Sequence, residues 1–467
     1  MPSLTFRRKT HSMKAFFLFI GCCLLTSHLS AQSLFVSGPM CGYTELRTSR
    51  IWAELQPSVT SVRLTYRPEN AGKAAEKTEI YKGPFGKPFN TIQLPLTGLE
   101  PGTRYQYEFT AATANGTSQQ QRGNFTTQTL WQYRSPAPDF SFLTGSCAYI
   151  NQKMYDRPGA PYGGDTSIFS TMAHQPADFM LWLGDNWYTR EADYMSAWGL
   201  HYRPHHDRSL PVLQPLLKAM PHYAIWDDHD YGPNDFGFSY IFKEESRQVF
   251  MDYWANPTYG EHGQGIYTQF MHNDVAFFLL DDRTWRNNDA WRDSVNGAPD
   301  TGKRMFGKQQ MHWLKDALLS QRNAPFKIIA TGSQVLNPVS PYDCFRHYET
   351  EFNELMDFIA AYDIPGVVFL TGDRHRSEII RMDRPGNYPL YDITASPLTS
   401  HVYGPGGAET DMKERVPNTL VVAQNYAKIS ITGAKEARTL QVQFFDIAGI
   451  EKAQWQVSEN ELRRKKP

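Results

Sequence analysis

Short, continuous apolar runs recur through the middle of the chain, and each run ends in a cluster of polar residues. A continuous apolar run bounded by turn residues is typical of a strand buried on both faces. The ligands of α/β proteins gather at the carboxyl ends of such strands. The runs cover residues 140–143, 179–183, 222–226, 276–280, 327–330 and 366–370. The pattern therefore predicts one site, assembled where several strands end.

Stretches with helix-like apolar spacing separate these runs. The alternation predicts a mixed sheet covered by helices, which is an α/β layered fold. The predicted helices cover residues 165–175, 192–201, 211–219, 243–255, 307–320 and 349–362. Strands at residues 427–432, 440–446 and 453–457 are predicted to close the same domain, which we place at residues 139–460.

The preceding segment, residues 34–130, is predicted to form a small all-β domain. Short alternating stretches separated by Gly, Pro and Asn turns indicate strands. They cover residues 50–55, 61–66, 91–96, 105–111 and 123–127. The Leu-x-Pro-Gly-Thr turn and following tyrosine of residues 99–107 resemble the corner of fibronectin type III domains, so we expect an immunoglobulin-like sandwich.

The first 31 residues have the pattern of a signal peptide. Basic residues up to Lys14 precede an apolar stretch at residues 15–25, which is too short to span a bilayer. Whether translation starts at Met1 or Met13 stays open. No second long apolar segment follows, so we expect no transmembrane segment in the mature chain and an exported protein, periplasmic or extracellular.

Charge and cysteine content narrow the function. The 467 residues carry a net charge of −1 with 20% charged residues, so no nucleic-acid-binding surface is evident. Removal of the signal peptide would leave Cys41, Cys147 and Cys344. Three cysteines make no disulfide framework, although pairing of Cys41 with Cys344 stays open. Cys147 follows the first α/β strand and is therefore the cysteine expected to take part in chemistry.

Asp185 and Tyr188 follow the second apolar run. A carboxylate and a phenol three residues apart can bind one ion if the loop turns at once. Tyrosinate is favoured by hard, highly charged ions such as Fe(III). The alternative is an aspartate that caps a helix and a tyrosine packed over it.

Acidic and imidazole groups crowd residues 227–235 and recur at Asp373 and His375. If buried without a cation, the first cluster would repel itself strongly. It could instead be an exposed acidic loop, but the apolar strand before it and its Tyr-Gly-Pro turn argue against that. Asp373 and His375 are two residues apart and would point to one side of an extended backbone.

The ordered set of motifs resembles the PhoD-type alkaline phosphatases, a branch of the calcineurin-like metallophosphoesterases. The motifs are Gly-Ser-Cys, Gly-Asp-x-x-Tyr, Trp-Asp-Asp-His-Asp, Leu-Asp-x-Arg and Thr-Gly-Asp-x-His-x-Ser-Glu. The resemblance covers roughly residues 34–400 and implies Fe(III) together with Ca(II), with other divalent metals possible. The implied metal ligands are Cys147, Asp185, Tyr188, Asp228, Asn234, Asp373 and His375, with Asp185 bridging.

The implied activity is that of an exported, metal-dependent phosphoric ester hydrolase. It would cleave phosphomonoesters, phosphodiesters or both by in-line attack of a metal-activated water on phosphorus. His229 falls where the superfamily has its catalytic histidine and would protonate the leaving oxygen. Arg190 and Arg283 are candidates for phosphate binding, since guanidinium pairs with phosphate bidentately, although either could be structural.

The alternative function is a catalytically degenerate metallophosphatase fold that binds a surface glycan or phosphopolymer. Intact motifs argue against degeneracy. We expect a monomer acting on a phosphate ester. The substrate stays open among a monoester, a diester, a teichoic-acid-like polymer, a phospholipid and a nucleotide.

Overall fold

The computed structural model describes residues 1–3 and 33–464, and the longer stretch begins with an all-β region. Its strands are β1 (Phe35–Thr44), β2 (Thr48–Leu55), β3 (Val59–Pro68), β4 (Lys77–Tyr81), β5 (Asn90–Thr97), β6 (Arg104–Thr113) and β7 (Ser118–Thr126). They form two antiparallel sheets, β1-β2-β5 and β4-β3-β6-β7. Each of the five predicted strands forms, whereas β1 and β4 were not predicted.

The turn before β6 carries a tyrosine corner. The Tyr105 hydroxyl accepts a hydrogen bond from the Glu100 backbone N–H at 2.8 Å. This contact is the kind that the fibronectin-like turn predicts. The assignment to the immunoglobulin or fibronectin III class, and the domain limits 34–130 and 139–460, stay predictions, because residues from Leu34 onward form one compact unit.

Strands and helices alternate in the rest of the chain, as predicted. The elements are β8 (Phe140–Gly145), α1 (Ile168–Ala173), β9 (Phe179–Leu183), α2 (Ala197–Arg208), α3 (Gln214–Ala219), β10 (His222–Ile225), α4 (Asp228–Tyr231), α5 (Lys243–Tyr253), β11 (Thr268–His272), β12 (Val275–Leu279), β13 (Ser294–Val295), β14 (Ala298–Pro299), α6 (Gly307–Ser320), β15 (Lys327–Thr331), α7 (Glu349–Ala361), β16 (Val367–Thr371), β17 (Glu378–Met382), β18 (Leu390–Thr394), β19 (Asn425–Thr432), β20 (Thr439–Asp446) and β21 (Glu451–Ser458). Each of the six predicted helices forms, and five of them have ends within three residues of the prediction. The exception is α2, which begins five residues and ends seven residues later than predicted.

The prediction of one mixed sheet is wrong, because the strands divide into two mixed sheets. Their orders are β10-β9-β8-β19-β20-β21 and β11-β12-β15-β16-β18-β17. The two sheets share one apolar core, in which the Phe277 ring lies 5.3 Å from Phe142 and 5.5 Å from Phe179. An apolar run predicts burial but does not say which strand lies beside it, so the division could not be read from the runs.

The predicted closing strands complete the first sheet. β19 pairs antiparallel with β8, and β20 and β21 follow it outward. β8, β9 and β10 are parallel to one another, as are β12, β15, β16 and β18. The carboxyl ends of these parallel strands carry the residues that the sequence singles out.

The remaining predictions concern the signal peptide, a transmembrane segment and a possible disulfide bond. The predicted signal peptide lies almost wholly in residues 4–32, outside the described residues. Within the described part of the chain, no helix combines the length and apolar character needed to cross a membrane. Cys41 and Cys344 are both buried and free, so they do not pair.

Candidate metal centre

The candidate ligands lie where strands end, and the backbone turns sharply there. Cys147 follows β8, Asp185 follows β9, and Asp373 and His375 follow β16. All four have positive φ angles, of 60°, 52°, 67° and 55°. This conformation costs a non-glycine residue about 1–3 kcal/mol and is concentrated at functional sites. The surrounding fold therefore holds these side chains in an unfavourable backbone geometry that aims them at one place.

Cys147, Asp185 and His375 form the first group of potential metal donors, whose atoms all lie within 4.8 Å of one another. The Cys147 Sγ is 3.5 Å from Asp185 Oδ2. The Tyr188 hydroxyl donates to the same Oδ2 at 2.9 Å and lies 3.2 Å from His375 Nε2. Four of the predicted ligands thus meet in one buried cluster.

Asp185, Asp228 and His229 form the second group, also within 4.8 Å. The backbone N–H of His229 donates to Asp185 Oδ1 at 3.3 Å. The two oxygens of Asp185 therefore face different groups, Oδ2 the first and Oδ1 the second. A carboxylate placed in this way can bridge two ions.

The orientation of His375 leaves one nitrogen free for a ligand. Its Nδ1 lies 2.6 Å from the carbonyl oxygen of His401. Since a carbonyl oxygen can only accept, Nδ1 carries the proton and Nε2 keeps its lone pair toward Tyr188. Backbone support of this kind is typical of metal-binding histidines.

The cluster is electrostatically unfavourable without a cation. Burial, reinforced by Cys147 and Asp228, raises the pKa of Asp185 well above its usual value. Burial raises the pKa of the Cys147 thiol to about 12, and burial together with Asp185 raises the pKa of the Tyr188 phenol. Thiol, phenol and carboxyl cannot all ionise side by side unless positive charge is present. The donor set therefore fits a highly charged metal ion.

Asp228 differs from the other acids. Its burial would raise the carboxyl pKa, but His229 and Arg283 outweigh burial and hold the pKa below its usual value. Its Oδ2 also accepts the backbone N–H of Asp235 at 2.8 Å. Asp228 is thus held as an anion at the edge of the cluster.

Among the described residues Asp373 belongs to neither donor group, and Asn234 is an amide, a residue type that these groups do not include. Both line the same cavity, whose volume is about 840 Å³. Asn234 is exposed, and its Nδ2 donates to the carboxylate of neighbouring Asp235. Burial raises the pKa of Asp373 to about 7. Their roles as metal ligands stay predictions.

Arg190, which was predicted to bind phosphate, instead makes buried structural contacts. Its buried Nη2 donates to the Ile150 carbonyl at 2.6 Å and to Asp156 Oδ1 at 3.0 Å. The guanidinium carbon lies 4.0 Å from the centre of the Tyr149 ring, and Arg190 is outside the set of residues that line the cavity. These contacts support a structural role, in which Arg190 holds the loop after β8.

Arg283 is also outside the set of residues that line the cavity. Its Nε donates to Asp227 Oδ1 at 2.7 Å, and its Nη2 donates to Asp343 Oδ2 at 2.9 Å. Nη2 also lies 3.9 Å from Asp228 Oδ1. Arg283 therefore lies next to Asp228 of the second donor group and holds it through buried ion pairs. These contacts do not support the prediction that Arg283 binds substrate directly.

Serine and tyrosine residues that no sequence motif indicated support the first donor group. Ser396 Oγ donates to Cys147 Sγ at 3.2 Å, and Ser400 Oγ lies 3.5 Å from His375 Nε2. Tyr162 and Tyr403 line the cavity beside them. The serines follow β18, a strand that was not predicted because Asp392 interrupts its apolar pattern.

The motif region matches a known protein family. Residues 142–444 match the family model described as PhoD-like phosphatase. Alkaline phosphatase D of Bacillus subtilis (strain 168) is 24% identical over 333 residues, which are 62% of this chain and 54% of that protein. The match thus spans about half the length of this relative.

Two solved structures share the fold. A structure of PhoD superposes with a TM-score of 0.72 at 18% identity and covers 92% of each chain. Purple acid phosphatase PPD1 from yellow lupin (Lupinus luteus) seeds superposes with a TM-score of 0.63 at 12% identity, over 90% of this chain and 74% of that one. At these identities the likeness concerns the fold alone.

Proposed function

Because the chain belongs to the PhoD-like phosphatase family, we propose that it is a metal-dependent hydrolase of phosphoric esters, acting on monoesters, diesters or both. The observation that carries the proposal is the position of Asp185, whose two oxygens face two separate groups of donors. A bridged pair of cations is suited to phosphoryl transfer, in which charge spreads over several oxygens.

The donor chemistry divides between the two groups. Cys147, Tyr188 and His375 supply thiolate, phenolate and imidazole, which with Asp185 suit Fe(III). The second group offers carboxylate oxygens from Asp185 and Asp228, which suit Ca(II). When bound, the metal ions would supply Lewis-acid chemistry, both activating water and neutralising phosphoryl charge.

His229 is the residue that we propose moves a proton to the leaving oxygen. It lines the cavity, its ring stacks on Tyr188 at 4.1 Å, and its Nε2 lies 4.0 Å from Asp228 Oδ2. Burial lowers the pKa of the imidazole below its usual value, so the protonated ring is a stronger acid and gives up its proton more readily. The ring thus lies between Tyr188 and Asp228 at the cavity wall, where a leaving oxygen would be released.

We also propose that the protein is exported to the periplasm or the extracellular space. The support for export is the basic and apolar pattern of the first 31 residues. The monomeric state remains part of the proposal.

The test combines activity with metal content. The purified protein is assayed on nitrophenyl phosphate and bis(nitrophenyl) phosphate with and without added calcium, and bound metals are measured. Asp185→Asn should lower kcat/KM by roughly a thousandfold and reduce bound iron, because the shared ligand loses its charge. Loss of the violet absorption of a ferric phenolate would report the same change without reference to turnover.

Asp411→Asn is the matched control, since Asp411 is exposed and lies outside the cavity. It should leave both activity and metal content unchanged. Wild-type activity in Asp185→Asn would refute the assignment of the centre, and an iron-loaded but colourless protein would refute the role of Tyr188.

A further inference from the structure

Two buried arginines line the cavity apart from the donor groups. Arg374 is 5% exposed and Arg376 is 2% exposed, and both contribute to the cavity wall. Arg374 lies between Asp373 and His375 in sequence. Buried cations on this wall therefore adjoin the acidic donor cluster.

These arginines belong to an ion network that is short of negative charge. Arg374 Nη2 donates to Glu409 Oε1 at 2.6 Å, and Arg376 Nε donates to Glu378 Oε1 at 3.1 Å. Arg415 Nε donates to Glu378 Oε2 at 2.7 Å. Among the described residues, three guanidinium groups thus share two carboxylates in direct ion pairs.

Asp392, another buried acid of this region, is not the missing partner. Its oxygens accept from Thr371 Oγ1 at 2.6 Å and from the backbone N–H groups of Val335 and Leu336 at 2.7 and 2.9 Å. Burial raises the pKa of this carboxyl, and it makes no direct ion pair with an arginine of the described chain.

The Arg376 Nη2 lacks a good hydrogen bond. It lies 3.0 Å from Glu378 Oε1 and from Glu409 Oε1, yet within the described residues this buried atom has no aligned hydrogen-bond partner. Arg376 is thus paired with both carboxylates, and the three guanidinium groups of these ion pairs exceed the two carboxylates by one positive charge. An anion at the cavity wall would offset this charge.

The cavity leaves room for such a group. A Cβ atom added at Gly406, which lines the wall, would meet no atom within 4 Å. Tyr342 is 65% exposed, and its ring centre lies 4.8 Å from the Arg374 guanidinium carbon. A substrate group can thus approach the arginines beneath an exposed aromatic ring.

We propose that Arg374 and Arg376 bind a second anionic group, carried by the alcohol part of the phosphoester. This inference rests on the proposed function, in which the donor groups hold the phosphoryl end of the same molecule. The preferred substrates are therefore phosphoesters whose leaving group bears its own negative charge. Guanidinium pairs bidentately with a carboxylate or a phosphate, which suits both forms of such a group.

The test is a binding measurement that needs no turnover. Titration calorimetry compares (2-carboxybenzyl)phosphonate with its carboxylate methyl ester on the metal-loaded protein. The wild type should bind the charged compound roughly tenfold more tightly, as expected for a hydrogen-bonded charge pair. Arg374→Gln and Arg376→Gln should lose this preference, and Arg376→Lys should restore part of it.

Arg415→Gln is the matched control. It removes the same charge from the same network, but Arg415 lies outside the cavity wall. The preference should persist in this variant. A wild type without preference, or an equal loss in Arg415→Gln, would overturn the inference.

A second variant keeps the network intact in case the arginine variants do not fold. Gly406→Asp places a carboxylate in open space of the cavity that Arg374 and Arg376 also line and should abolish the preference, whereas Gly406→Asn should retain it. Equal binding by the two Gly406 variants would contradict the inference. Since phosphonates are not hydrolysed, charge-dependent binding in a protein that cleaves no phosphoester would refute the proposed function alone.

Discussion

At the residue scale, buried histidines outside the candidate centre couple stability to pH. His222 is fully buried at the start of β10. Its Nδ1 accepts from Trp182 Nε1 at 3.0 Å, and its Nε2 donates to the Leu216 carbonyl at 3.0 Å. In the neutral ring both nitrogens make hydrogen bonds. A proton on Nδ1 would break the hydrogen bond that this nitrogen accepts from Trp182. Burial lowers the pKa of His222 to about 3.

The sign of the pH effect follows from this shift. Between the folded pKa of about 3 and the unfolded value of 6.5, the unfolded chain binds the extra proton. The free energy of unfolding should therefore fall as the pH falls below 6.5, by about 2 kcal/mol from this group at pH 5. Urea denaturation at pH 7 and pH 5 should show this loss in the wild type and a smaller loss in His222→Gln.

His312→Gln provides the comparison, because His312 is exposed on α6. Its loss between the two pH values should equal that of the wild type. If His222→Gln also lost as much as the wild type, the titration of His222 would not contribute to acid destabilisation.

At the element scale, the strand ends explain why the candidate ligands converge. After β8, β9 and β16, a left-handed residue two positions beyond the strand end turns the chain away from the strand direction. Cys147, Asp185 and His375 come from β8, β9 and β16, which belong to two different sheets. The cluster can therefore form only if the two sheets pack in one specific relative position.

The contact between the all-β region and the segment after α5 depends on a glycine. A Cβ atom at Gly42 in β1 would lie 2.4 Å from Ala255 Cβ and 2.6 Å from its carbonyl oxygen. That oxygen accepts the Tyr43 N–H at 2.8 Å. Gly42→Ala should therefore destabilise the protein by about 1–3 kcal/mol through overpacking, seen as a lower midpoint of thermal unfolding.

The same substitution at Gly72 tests whether the effect is local crowding. Gly72 has a φ of −68°, and a Cβ there would meet nothing within 4 Å. Gly72→Ala should leave the midpoint unchanged or raise it slightly. Equal midpoints for the two variants would argue against close packing at Gly42.

At the scale of the whole molecule, the candidate centre draws its donor residues from strands of two sheets. The pKa of Asp185 is raised well above its usual value, chiefly by burial. For a carboxyl whose folded pKa is raised, the free energy of unfolding falls as the pH rises above the unfolded value of 3.8, and the loss is complete once the pH exceeds the folded value. Removal of metal by a chelator should therefore lower the unfolding midpoint at pH 8, because cations no longer offset the buried acids.

The variant Asp185→Asn separates this effect from general damage. It removes one buried charge, so the metal-free variant should unfold at a higher temperature than the metal-free wild type. Added calcium and iron should then change its midpoint little. A wild-type midpoint that chelation leaves unchanged would show that the acid cluster does not depend on bound cations.

The local features of the chain were largely predictable from its sequence. Apolar runs marked the strands that lead to the site, and helix-like spacing marked each of the six predicted helices. β17 and β18 were missed, since polar residues interrupt their apolar pattern. For the same reason Ser396, which donates to the Cys147 thiol, carried no signal that pointed to the site.

Residue type and order along the chain predicted a metal site, because thiol, phenol, imidazole and carboxylate groups each followed a buried strand. The resemblance of the ordered motifs to PhoD-type phosphatases then implied the phosphatase activity. The direction in which each side chain points was decided only by the tertiary structure. Arg190 and Arg283 turn into buried ion pairs, while Arg374 and Arg376 line the cavity. A guanidinium pairs equally well with a carboxylate or a phosphate, so only the packing of neighbouring segments determines which of the two it meets.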